Sequence, residues 1–194
     1  MNYARLQQTR IPDLAPVYGG VRGRTMSSRH QAYAWRALQE AGVKTIIDLR
    51  DKDKTERLPA LCEEYGMRYF HYPVDTTAEV ITEMAERFEQ LCERIDAGDF
   101  YIACAMGLHR TDIALTAYWV FYAADRGLPP PEIRGYREED GHTLDKLNCV
   151  LNALYAAFTA RNGCEPMPPE LFKERKKGEG VIIVRVKRDK KSER

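Results

Sequence analysis

The stretch from residue 100 to residue 124 leaves this chain little freedom of architecture. Phe100, Tyr101, Ile102 and Ala103 form a short apolar run of strand type. The loop CAMGLHR follows, and then TDIALTAYWVFYAA, a helical pattern over 111–124 that is apolar on nearly every side. A helix of that kind is stable only when buried. A short apolar strand feeding a buried helix through one tight loop belongs inside a layered α/β domain.

The rest of the pattern agrees. Residues 17–21 (VYGGV) predict a short strand, and Ser27 and Ser28 offer caps for a helix that runs to Gly42. KTIIDL, at 44–49, is a β-branched strand. A helix is expected over 55–65 and a strand over 68–72 (RYFHY). After the loop PVDTTAE, with Thr77 as cap, Ile81, Met84, Phe88, Leu91 and Ile95 recur at helical spacing and predict one long amphipathic helix. Further helices are expected over 132–139 and 144–161. The fold class is α/β, with a mostly parallel sheet covered by helices on both faces. Residues 1–14 read as an N-terminal arm and 15–165 as the domain. Residues 166–194 read as an extension with a strand-type run, VIIVRV, and the basic tail KRDKKSER.

Composition excludes several classes. With 44% hydrophobic residues the 194-residue chain fills a real core, and its net charge of +1 exerts no general pull on nucleic acid or an anionic membrane. Any anion site is therefore local. Five cysteines without a Cys-x-x-Cys pair argue against a disulfide scaffold or a structural zinc site. Free thiols fit a reducing compartment. With no apolar leader or membrane-spanning run in sight, the expected location is cytoplasmic.

The chemistry concentrates in the loop Cys104, Ala105, Met106, Gly107, Leu108, His109, Arg110. A helix N-terminus presents unpaired N–H groups and partial positive charge, and a loop coiled before it forms a nest for a phosphate. Cys104 opens the loop and faces such an anion. The N–H groups and Arg110 favour the thiolate, which is the nucleophilic form. Arg110 offers a planar fork for two phosphate oxygens. Gly107 lets the amides turn inward, and the Thr111 hydroxyl is placed to bond the sulfur. Cys62 and Arg68 repeat the same spacing in CEEYGMR. That copy runs from helix to strand and carries Glu63 and Glu64, which repel a phosphate, so it reads as structural.

At Cys104, Gly107, Arg110 and Thr111 the run CAMGLHRT resembles the cysteine-based protein tyrosine phosphatase superfamily, in its small dual-specificity branch. The ending HRT, the upstream IIDLR and the loop YPVD look most like the atypical group related to plant and fungal dual-specificity phosphatases, some of which act on inositol pyrophosphates. The resemblance covers roughly residues 15–125. It implies a four- or five-stranded sheet, no metal or cofactor, a phosphocysteine intermediate and an upstream general acid. Asp75, in YPVDTT, matches that acid and lies just beyond a strand end. Asp48 and Asp112 are weaker candidates. Arg50 reads equally as an ion-pair partner or a solvated charge, and His71 as a packing residue. His109 either adds a positive charge to the pocket or points into the scaffold.

Two departures qualify the resemblance. Ala103 stands where the family usually has a histidine that helps fix the loop. Met106 and Leu108 stand where the atypical group has basic residues, which suits a less charged or more apolar phosphoester. The expected activity is hydrolysis of a phosphomonoester carried by a phosphorylated protein, an inositol phosphate or another small molecule. The alternative is a catalytically weak or silent module that binds phosphorylated ligands. Sulfur transfer or arsenate chemistry ranks third.

Overall fold

The computed structural model describes residues 1–26, 31–51, 56–136 and 144–162. The capping serines 27 and 28, the start of the helix expected at 55, and the extension from 166 lie outside the described residues. The elements are α1 (Tyr3–Gln7), β1 (Ala15–Val17), β2 (Gly20–Arg24), α2 (Ala32–Glu40), β3 (Thr45–Asp48) and α3 (Leu58–Glu64). They continue with β4 (Arg68–His71), α4 (Ala78–Glu86), α5 (Phe88–Asp96), β5 (Phe100–Cys104), α6 (His109–Tyr118) and α7 (Leu144–Asn162).

The five strands form one sheet in the order β1-β2-β5-β3-β4. Every pairing is parallel except β1 with β2. The α/β fold expected from sequence is therefore present. β5 is central, and its side chains alternate between the two faces as a pleated strand requires. Phe100, Ile102 and Cys104 join a core with Ile47, Leu91, Ile113 and Leu151. Tyr101 and Ala103 join the opposite core with Leu6, Trp35, Leu38 and Leu61. Leu6 and Ile11 are buried there, so the N-terminal residues pack onto the sheet's second core.

The register decides where chemistry can occur. Arg24 lies opposite Cys104, and Asp48 opposite Ala103. The carboxyl ends of β2, β5 and β3 thus finish at one level, the edge where ligands of open α/β sheets collect. α6 rises from that edge into the core, with every residue from Thr111 to Tyr118 buried. It continues through a π-helical turn, Trp119–Ala123, and a 3-10 turn, Ala124–Arg126. There Tyr118 and Tyr122 donate hydrogen bonds to the Asp96 carboxylate at the end of α5.

Three expectations change. The single strand at 17–21 is a hairpin, because Tyr18 and Gly19 both take positive φ and turn the chain between β1 and β2. The long helix is two, broken at Arg87, whose backbone leaves helical angles (φ −105°, ψ 8°). Its guanidinium donates to the Glu83 carboxylate and to the His71 carbonyl of β4. Finally, 132–136 is not helical, and 137–139 lies outside the described residues. The N–H groups of Arg134 and Gly135 donate to the buried Asp112 carboxylate, at 3.0 and 2.5 Å. The Glu132 carbonyl accepts from Arg22. A backbone committed to those partners has nothing left for a helix.

Candidate active site

β5 ends at Cys104 and α6 begins at His109, so the loop between them is short and its ends are fixed. Cys104 is 3% exposed, and the hydroxyl of Thr111, in the first turn of α6, donates to its sulfur at 3.4 Å. No side chain caps the start of α6. Its first N–H groups therefore face the loop without competition from a capping oxygen.

Gly107 explains the loop's shape. Its φ is +72°, and a Cβ there would lie 2.5 Å from the backbone of Gly23. Only glycine satisfies both the left-handed turn and the approach to β2. Ala105 and Met106 form the exposed crest, Leu108 is half-buried, and the Gly107 N–H donates to the Cys104 carbonyl.

β2 holds the loop from behind. The N–H and hydroxyl of Thr25 both donate to the Cys104 carbonyl at 3.0 Å. Arg22, 2% exposed, sends Nη2 to the carbonyls of Gly107 (2.9 Å) and Leu108 (3.3 Å) and to Asp112 (2.7 Å). Burial pushes the Asp112 carboxyl up, while Arg22 and the N–H groups of Gly135 and Arg134 pull it back. Asp112 is thus an anchor for the scaffold. These bonds fix the loop although Ala103 takes the place of the histidine that the resemblance leads one to expect.

The other candidates separate clearly. Asp48 is fully buried and receives Arg50 at 3.0 and 2.9 Å together with the Tyr69 hydroxyl at 3.2 Å. Arg50 is therefore an ion-pair partner, and its carbonyl meets His71 Nε2 at 2.7 Å. This cluster locks the ends of β3 and β4 together. His109 packs edge-on against Tyr136, 5.4 Å between ring centroids. Burial pushes the Cys62 thiol up to about 12, and the Asp48 charge adds to the effect, so the second Cys-x5-Arg copy holds an inert, buried cysteine.

Arg110 is paired with Asp51, whose carboxylate oxygens lie 3.0 and 3.1 Å from Nη2. Sequence reasoning missed Asp51, Arg22 and Thr25. Asp75 follows β4, and its carboxylate accepts from the Thr76 N–H at 2.6 Å. Asp75, His109 and Arg110 line one cleft, bounded on the far side by α7. The structure thus brings Asp75 and Arg110 to the same opening. Among the described residues no cluster of histidine, cysteine or carboxylate side chains is suited to a metal, and no helix is long and apolar enough to cross a membrane.

Comparison with known proteins bears on the family and the fold. The family described as a DSP-PTPase phosphatase fused to NAD+ kinase matches residues 7–146. Two crystal structures of a candidate DUF442 phosphatase from Shewanella putrefaciens CN-32 share the fold. The first has TM-score 0.55 at 18% identity, covering 81% of this chain and 99% of that one. The second has TM-score 0.53 at 19% identity, covering 75% and 90%. P. aeruginosa TpbA in complex with pTyr aligns at TM-score 0.46 and 16% identity, over 78% of this chain and 99% of that chain. No curated protein matches the chain in sequence.

Proposed function

We propose that this chain, which belongs to the DSP-PTPase family described as fused to NAD+ kinase, hydrolyses phosphomonoesters through a phosphocysteine on Cys104. The observation that carries the reading is the Thr111 hydroxyl donating to the Cys104 sulfur at the mouth of an uncapped helix. That hydroxyl is placed to donate to the sulfur both as it attacks and as it departs.

In the first step the Cys104 sulfur attacks phosphorus and the ester P–O bond breaks. The loop N–H groups and Arg110 bind the non-bridging oxygens, and charge building on them is met by donors already aimed. Asp75 gives its proton to the departing oxygen. In the second step the Asp75 carboxylate takes a proton from water, which attacks phosphorus. The S–P bond breaks, inorganic phosphate leaves, and the Thr111 hydroxyl stabilises the sulfur as it departs.

The test is hydrolysis of para-nitrophenyl phosphate in EDTA. Turnover is expected in wild type and none in Cys104→Ser, with Asp75→Asn slower by roughly 10²–10⁴. Wild-type turnover in Cys104→Ser ends the proposal. Phosphopeptide binding without turnover in wild type would favour the silent-module alternative. The family's description pairs this phosphatase type with an NAD+ kinase. A kinase acting on a dinucleotide hydroxyl makes a phosphomonoester, so NADP+ belongs in the substrate series.

A further inference from the structure

Three donors converge on one carbonyl at the head of the loop. The Cys104 oxygen accepts from the Thr25 N–H at 3.0 Å, from the Thr25 hydroxyl at 3.0 Å and from the Gly107 N–H at 3.2 Å. A carbonyl oxygen has two lone pairs, so any two of these donors satisfy it. Strand pairing accounts for the Thr25 N–H, which lies one position past the match of Arg24 with Cys104. The left-handed turn at Gly107 accounts for the second N–H. Neither accounts for the hydroxyl, the one side-chain donor of the set.

The hydroxyl holds a direction. A peptide unit is planar and trans, so its C=O and N–H point opposite ways. The Cys104 carbonyl and the Ala105 N–H belong to one such unit. The Gly107 N–H draws the carbonyl along the loop, and the hydroxyl doubles the pull toward the end of β2. The Ala105 N–H is thereby turned toward β3, the other neighbour of β5. Among the described residues that N–H meets no backbone acceptor. Beyond the end of β3 stands Asp51, which draws the Arg110 guanidinium to the same side at 3.0 Å. The first amide of the loop and the guanidinium at its close therefore face one opening.

We propose, on the hydrolase reading above, that Thr25 is a positioning residue: its hydroxyl, through the Cys104 carbonyl, aims the Ala105 N–H at the bound oxyanion. Thr25 itself neither touches substrate nor moves a proton. Arg22 holds the carbonyls of Gly107 and Leu108 in a comparable way, but its buried charge also anchors the fold. Thr25 is half-buried and uncharged, so its effect on the site separates from its effect on stability.

The test compares Thr25→Val, which has a similar shape without the hydroxyl, with Thr25→Ser, which keeps the hydroxyl. Tungstate is titrated into the whole chain by calorimetry, a measurement that needs no turnover. Thr25→Val should bind tungstate about five- to tenfold more weakly than wild type, the scale of one hydrogen bond, and Thr25→Ser within about twofold of it. Urea midpoints should agree in all three proteins, because the Cys104 carbonyl keeps two donors. With para-nitrophenyl phosphate the same order should appear, mostly in kcat, since aimed donors matter most as charge builds on the oxygens. Equal tungstate binding by Thr25→Val and wild type would overturn the role. So would failure of Thr25→Ser to restore binding, a loss matched by a fall in urea midpoint, or a wild type that binds no tungstate. Tungstate binding in the expected order without turnover of any ester would count against the hydrolase reading and leave the positioning role standing.

Discussion

Arg22 and Asp112 meet at 2.7 Å with side chains 2% and 0% exposed. The pair joins β2 to α6, and through Arg22 it also grips the carbonyls of Gly107 and Leu108. Removing one member of a buried ion pair strands the other charge away from water. Arg22→Met should therefore lower the free energy of unfolding by about 3–5 kcal/mol in urea titration. Arg22→Lys keeps the charge but not the planar fork, and should fall between the two. A loss in Arg22→Met below about 1 kcal/mol, the range of an exposed pair, would contradict the anchoring role.

Asp51 offers a contrasting case. Its pair with Arg110 is 30% and 28% exposed, so its contribution to stability should be under about 1 kcal/mol. Under the proposed mechanism its contribution to catalysis should be larger, because it orients the guanidinium that is to bind phosphate oxygens. Asp51→Asn is expected to cut kcat/KM for an aryl phosphate by roughly 10-fold or more, since small misplacements of a positioning group are expensive. Urea midpoints should barely move. Equal and small effects on both would mean that Arg110 orients itself.

Thiol reactivity should distinguish the cysteines. Burial pushes the thiols of Cys62 and Cys92 up to about 12. Such thiols stay protonated at pH 7.5, and the thiolate is the reactive form. Iodoacetate should therefore inactivate the protein by alkylating Cys104, orthovanadate should protect it, and peptide mapping should find Cys62 and Cys92 intact. Rapid labelling of Cys62 would show that its helix opens readily.

Asp96 links α5 to the π-helical turn after α6. Burial opposes its ionisation, but hydrogen bonds from Tyr118, Tyr122 and Arg126 outweigh this and hold the carboxyl below its ordinary 3.8. A carboxyl with a lowered folded value binds its proton less tightly than the unfolded chain does. Its stabilisation is thus fully present above about pH 4 and lost as pH falls through the folded value. The melting temperature of Asp96→Asn should be lower than wild type at pH 7, and the gap should narrow below pH 4. A constant gap would assign the effect to packing.

The pattern of hits and misses has physical causes. The loop from Cys104 to Arg110 was legible because strand, glycine, arginine, hydroxyl and helix follow one another locally. The parallel sheet was legible because short β-branched and apolar runs alternate with helical periods. Arg22 left no such trace, since its partners Gly107 and Asp112 lie 85 and 90 positions away. In GVRGR it reads as a solvated charge. Asp51 was hidden in the charged run LRDKDK for the same reason. The helical reading failed over 132–136 because propensity yielded to a buried carboxylate that takes two N–H groups. Ala103 stands where the resemblance expects a histidine that helps fix the loop, and here Arg22 in β2 and Thr25 just beyond it hold the loop.

Trapping of the covalent intermediate bears most directly on the account. Asp75→Asn should slow both steps while leaving the nucleophile intact. Mixing it with a good aryl phosphate and quenching in alkaline denaturant, where a phosphothioester survives, should leave phosphate on the peptide that contains Cys104. Turnover with phosphate on no residue, or on a residue other than Cys104, would contradict the account.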